Sequence, residues 1–176
     1  MKNNFLSTIK VFFEVMGIVL IVLILIGLFN TNFTDGNAIL LTNSVIKEKE
    51  YVENVHPMIL EFNEQLQTLE ETNELSDKGK IVPLKVSQIY ANTFDEMQNN
   101  YDEMSYMEVP ERFQQFHTSF LKCMEIKGAT INEIITYLTD RDSAHLVTVD
   151  SYNNSFKERY SDAIITYNRL LDERNN

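Results

Sequence analysis

From Val11 to Phe29 the chain runs for nineteen residues with a single charge, Glu14, and with fifteen Val, Ile, Leu or Phe. As a helix rising about 1.5 Å per residue, such a run is about 28 Å long, close to the thickness of a bilayer's hydrocarbon. A charge at the bilayer centre costs about 3 kcal/mol, whereas each apolar residue contributes roughly 0.3 to 0.6 kcal/mol. Glu14 stands one turn from the end of the run, within reach of the interface, so insertion wins. The run is predicted to be one transmembrane helix, and everything after it a tethered domain.

The flanks set the expected orientation. Lys2 and Lys10 precede the run, while the far side opens with Asn30, Asn32 and Asp35 and has no lysine before Lys47. The positive-inside rule then puts residues 1–10 in the cytoplasm and the domain outside it. A cleavable signal peptide needs a shorter apolar core and small residues at the cut, and Gly27-Leu28-Phe29-Asn30 offers no such site. Residues 11–29 are therefore expected to stay as a signal-anchor in the cell membrane. Glu14 follows Lys10 by four residues, as in a type IV pilin amino terminus, but no glycine precedes the position where a pilin peptidase would cut. Its remaining reading is an intramembrane contact to a larger membrane complex. Cys123 is the one cysteine, which leaves neither an internal disulfide nor a lipid attachment point near the run. An outside domain built that way suits a bacterial envelope.

Only two of the 15 Lys and Arg and one of the 26 Asp and Glu lie before residue 30, which leaves the rest with a net charge of −12. Its few bases are scattered, so neither nucleic acid nor an anionic lipid surface is an expected partner. Residues 30–37, Asn-Thr-Asn-Phe-Thr-Asp-Gly-Asn, are polar and rich in helix breakers and read as a linker. Residues 38–176 are enough for one domain with a real core.

Within that domain the apolar residues recur at helical spacing. Val52, Val55, Ile59, Phe62, Leu66 and Leu69 form a coiled-coil-like stripe, with Pro57 either kinking its outer face or starting a helix. Asn73 to Lys80 breaks the pattern. Pro83 opens a second helix to Met107, whose stripe comprises Val86, Tyr90 or Ile89, Phe94, Met97, Tyr101 and Met104. Val109-Pro110 opens a third, with Phe113, Phe116, Phe120, Met124, Ile131, Ile134, Ile135 and Leu138 in phase. Gly128, with Thr130 and Glu133 spaced as a capping box, points to a break near residue 129. A short turn over 139–143, with Asp140, Asp142 and Ser143 as candidate caps, leads to a fourth helix from Ala144 to Glu173. Four such helices joined by short turns bury their stripes as an antiparallel four-helix bundle, so the fold class is all-α.

Chemistry-bearing patterns are sparse. Glu53-x-x-His56 has the spacing used in di-iron bundles, but such sites need a second copy and two further inward carboxylates, and His117 and His145 follow Gln114 and Asp142 instead. No nucleophile elbow, phosphate loop or zinc spacing occurs. No catalytic residue, metal ligand or cofactor is expected. His117 lies on the third helix's apolar stripe, which predicts a core histidine bonded to a tyrosine or asparagine, with Asn153 of the fourth helix as the named candidate. Tyr90, Met97, Tyr101, Met104, Tyr160 and Tyr167 are the candidate lining of a ligand groove between the second and fourth helices. The same residues would serve ordinary packing, with Met filling gaps and Tyr turning its hydroxyl to the rim.

The run Val109-Pro110-Glu111-Arg112-Phe113-Gln114-Gln115-Phe116-His117, following a helix rich in Met and Tyr, resembles an element of uncharacterised extracytoplasmic helical proteins of Gram-positive bacteria. Those proteins carry an all-α domain behind a lipoprotein signal or a membrane helix, and this chain lacks the lipoprotein cysteine. The resemblance implies an address and a fold, with no activity attached. The expected function is a non-enzymatic binding module at the cell envelope, its partner an envelope protein or a second copy. The alternatives are a ligand- or metal-binding sensor or enzyme using His117 and the tyrosine groove, and an accessory subunit of a membrane complex.

Overall fold

The computed structural model describes residues 43–175, which fall in the second of two units of the chain, Thr42–Asn176. The apolar run 11–29 with Glu14, the lysines before it and the linker 30–37 lie outside the described residues. Among the described residues no helix is long and apolar enough to cross a membrane. They form an all-α bundle with no strand: α1 (Asn43–Asp77), α2 (Pro83–Ser105), a short 3₁₀ turn (Glu111–Phe113), α3 (Gln114–Asp140) and α4 (Ala144–Asn175).

Each connection has a local cause. The end of α1 closes when Lys80 N–H reaches back to the Leu75 carbonyl (2.8 Å) and Gly79 N–H to that of Ser76 (2.9 Å). That double bond needs a left-handed residue, and Gly79 has φ 63°. Pro83 then starts α2, where its missing N–H would be unsatisfied anyway. Between α3 and α4, Arg141 takes the left-handed conformation (φ 64°). The Asp142 and Ala144 amides each donate at 2.9 Å, to the side chains of Asp140 and Asp142. Two of the three candidate caps thus act in the turn itself.

Two expectations about continuity resolve by burial. Pro57 neither starts a helix nor stops one: α1 runs through it, with the ring on the exposed face. The break expected near residue 129 does not occur, because α3 is continuous through Gly128. Thr130 is fully buried and gives its hydroxyl to the Ile126 carbonyl at 2.8 Å, where a cap would have turned it to a new helix start. A break there would open a stretch of α3 that packs on two neighbours.

Consecutive helices run in opposite directions, as their contacts show. Tyr90 of α2 bonds to Asn73 near the end of α1, and Tyr101 further along α2 bonds to Glu125 of α3. Phe116 near the start of α3 meets Tyr167 near the end of α4, while Glu133 near its end meets His145. Phe62 of α1 closes the bundle's centre: it is fully buried, with ring centroids 5.4 Å from Phe120, 6.2 Å from Phe156 and 5.8 Å from Tyr160.

The buried seams are not the ones that apolar residues alone mark out. In α1 the buried row includes Tyr51, Val55, Met58, Phe62, Gln65, Leu69 and Thr72, spaced four, three, four, three, four and three. Val52 and Leu66, expected in the seam, are only half-buried on its flank. The second helix repeats the pattern. Its buried residues are Val86, Tyr90, Thr93, Met97, Asn100 and Met104, and Phe94 and Tyr101 stand one position outside it. A strict heptad row keeps facing its neighbours along the whole helix, so geometry admits Thr93 and Asn100 and displaces the larger aromatics sideways.

Candidate binding groove

Three interior tyrosines bond across the bundle to polar side chains, whereas Gln65 Oε1, Asn100 Nδ2 and the Tyr167 hydroxyl are buried with no partner among the described residues. His117 is buried on α3, and its Nδ1 lies 3.0 Å from the Tyr51 hydroxyl of α1, so its partner is a tyrosine. Burial lowers the His117 pKa, which favours a neutral imidazole in this pair. Asn153 is half-buried on α4, one turn before Phe156, whose ring lies beside Lys127 at the middle of α3, about three turns of helix from His117. Tyr160 donates to Asn63 Oδ1 (2.5 Å), and the Asn63 amide in turn donates to the Ile59 carbonyl (2.9 Å). Tyr90 donates to Asn73 Oδ1 at 2.6 Å, and burial pushes its pKa up to about 12. Tyr167 packs on Phe116 at 4.7 Å, and its hydroxyl has no partner among the described residues.

These placements divide the residues expected to line one groove. Tyr90, Met104, Tyr160 and Tyr167 are core residues. Met97 is buried with them, yet with the half-buried Tyr101 it borders a groove, which runs between α2 and α3. This follows from the seam displacement above, since Phe94 and Tyr101 leave the α2 seam on the side where α3 lies. Met124, Gly128 and Ala129 of α3 complete an apolar lining, and the open volume is about 280 Å³. Gly128 matters by its lack of a side chain: a Cβ there would sit 3.3 Å from Cε2 of Phe94. The ring therefore lies directly against the α3 backbone.

The polar edge of the groove is acidic and held in place. Tyr101 donates to Glu125 at 3.0 Å, and Lys122 reaches the other oxygen of the same carboxylate at 2.5 Å. Both hydrogen bonds keep the Glu125 pKa below the usual range, Lys122 more strongly. Gln98, in the lining, donates to Asp102 at 2.9 Å and ties that carboxylate to the rim.

Two further sites went unmarked in the sequence. Lys127 follows Met124 by three and precedes Ile131 by four, a seam position on α3. Its ammonium lies 5.2 Å from the centre of the Phe156 ring, and burial, aided by Lys157, lowers its pKa to about 8. Its heptad position was the available signal. His145 is gripped on both sides, Nδ1 by Glu133 at 2.5 Å and Nε2 by Asp140 at 3.1 Å, and these bonds raise its pKa. The two carboxylates bind opposite edges of the ring, which is the wrong geometry for one shared metal ion. No group of three or more ligating side chains converges among the described residues. Glu53, of the Glu-x-x-His spacing, faces solvent beside Lys49 (3.6 Å), and His56 stacks on Tyr167.

Fold and site together define an all-α helical bundle with an open groove on its flank between α2 and α3. The chain matches no protein-family model, no curated protein and no solved structure.

Proposed function

We propose that this is a single-pass membrane protein, with residues 1–10 in the cytoplasm, that displays an acidic antiparallel four-helix bundle on the outer side and acts there by binding another envelope protein. The observation that carries the reading is the contrast between a core that buries most of the candidate ligand-site residues and the open groove between α2 and α3. His117, the residue most suited to a sensor or an enzyme, is buried against Tyr51, and three of the tyrosines that would line a ligand site are packed in the core. The apolar run 11–29 supports the tether, and the charge of −12 beyond it supports a solvated, displayed domain. The run from Pro110 to His117, with its likeness to extracytoplasmic helical proteins, fits the same address.

Protease added to intact cells tests the topology directly. The chain carrying a tag after Asn176 should lose that tag while a cytoplasmic marker survives, and deletion of residues 11–29 should release it from the membrane fraction. A tag protected until the cells are lysed would overturn the proposed orientation. Metal analysis of the purified chain tests the mode of action, since stoichiometric iron, manganese or zinc would favour the sensor or enzyme instead.

A further inference from the structure

We infer that the groove between α2 and α3 docks a basic, amphipathic α-helix of a partner protein, an inference that rests on the binding reading above and names its partner's chemistry. Three observations carry it. First, Phe94 and Tyr101, both half-buried, stay on the flank of the α2 seam while the smaller, polar Thr93 and Asn100 fill it, so aromatic edges are left at the inter-helix groove. Second, the groove is backed by material that can adapt: the thioethers of Met97 and Met124, buried beneath it, stand beside a glycine that lets Phe94 lie on the backbone. A glycine mid-helix costs about 1 kcal/mol relative to alanine, and here it keeps the groove floor low.

Third, the charge is one-sided. Between Lys85 and Arg112 the chain carries Asp95, Glu96, Asp102, Glu103, Glu108 and Glu111 and no Lys or Arg. Asp95 and Asp102 follow Phe94 and Tyr101 by one residue, which on a helix sets them along the outer rim, and Glu125 stands on the α3 side. Lys122 pairs with Glu125, so the uncompensated charge of the rim is that of α2. An apolar floor edged by carboxylates complements a helix with an apolar stripe flanked by Lys or Arg. From Phe94 to Tyr101 the floor is seven residues long, about 10 Å, which is room for two anchor side chains one turn apart.

The test uses the full chain in phosphatidylcholine nanodiscs, with its methionines ¹³C-labelled at the methyl group. Two synthetic 18-residue peptides share one leucine stripe and differ only in a polar face of lysine or of glutamate; oligolysine is the third probe, and empty discs give the lipid background. The lysine amphipath should shift the Met97 and Met124 methyl signals and leave that of Met58, in the core of α1, in place. The glutamate peptide and oligolysine should each bind at least about tenfold more weakly, and added salt should weaken the lysine peptide. Ala129→Trp, which fills the groove from its open side, should abolish the shifts. The double variant Asp102→Asn, Glu125→Gln should weaken binding about tenfold with the apolar floor intact, so a folding defect in the first variant does not decide the matter. Equal binding of the two amphipaths, equal binding of oligolysine, or shifts that avoid Met97 and Met124 would each overturn the inference. These readings are independent of cell topology, so a failed tether and a failed groove are told apart.

Discussion

Replacing tyrosine by phenylalanine at three buried positions should give effects of different sign, because the substitution removes the same oxygen from three different situations. At Tyr160 the hydroxyl is donated to Asn63, whose amide is already tied to the Ile59 carbonyl. Asn63 cannot swing away to water without losing that second bond, so Tyr160→Phe leaves a half-buried acceptor unmet and should cost about 1 to 2 kcal/mol. At Tyr90 the partner is Asn73, which is exposed and can turn to solvent. Tyr90→Phe should cost only about 0.5 to 1 kcal/mol. At Tyr167 the buried hydroxyl has no partner among the described residues, while the ring is held by Phe116. Tyr167→Phe removes an unmet polar group and keeps the packing, so it should stabilise by about 0.5 to 1 kcal/mol. For a domain of this size 1 kcal/mol corresponds to about 4 °C in Tm. Urea and thermal unfolding of the full chain, followed by circular dichroism at 222 nm, read the order directly. A Tyr167→Phe variant less stable than wild type by about 1 kcal/mol or more would refute the reasoning, because it would mean that the hydroxyl is satisfied.

Phe62→Ala should cost about 3 to 5 kcal/mol, since the fully buried ring touches Phe120, Phe156 and Tyr160 and its removal leaves a cavity that three helices cannot all collapse into; a shift in the urea midpoint worth under about 1 kcal/mol would contradict that packing. Gly128→Ala should stabilise α3 slightly, because helix propensity gains about 1 kcal/mol and Phe94, half-exposed, can give way by a few tenths of an ångström. The same variant should bind the lysine amphipath less well, and losing stability and binding together would count against this account. The grip of Glu133 and Asp140 raises the His145 pKa in the folded state. Its stabilisation is thus fully present below the unfolded value of about 6.5 and lost as the pH climbs through the raised folded value. His145→Gln should therefore lower Tm most at pH 5 to 6 and least at pH 8 to 9. His56 and His117, whose pKa values burial lowers, act in the opposite sense and should leave the variant steadily less stable as pH falls below about 6.5. A wild-type minus variant difference that did not change with pH would rule the grip out as the cause.

Apolar spacing, Pro83, the Val109-Pro110 pair and the turn residues around Asp140 are sufficient to indicate four helices and to place the last three within a few residues of where they stand, because caps, prolines and the 3.6-residue period are local properties of the chain. The same local reading expects His117 as a core histidine with a tyrosine or asparagine partner, and it groups Met97 and Tyr101 with Tyr90, Met104, Tyr160 and Tyr167 as the lining of a groove between the second and fourth helices. Three things were decided only by packing. The seams of α1 and α2 include Gln65, Thr72, Thr93 and Asn100, since a row facing a neighbour is chosen by register along the whole helix and tolerates a polar residue that apolar counting skips. The partner of His117 is Tyr51, 66 residues away in sequence, a distance that no periodicity bridges. The groove lies between α2 and α3 because the aromatics displaced from one seam need a neighbouring backbone low enough to lie against, and Gly128 supplies it on α3.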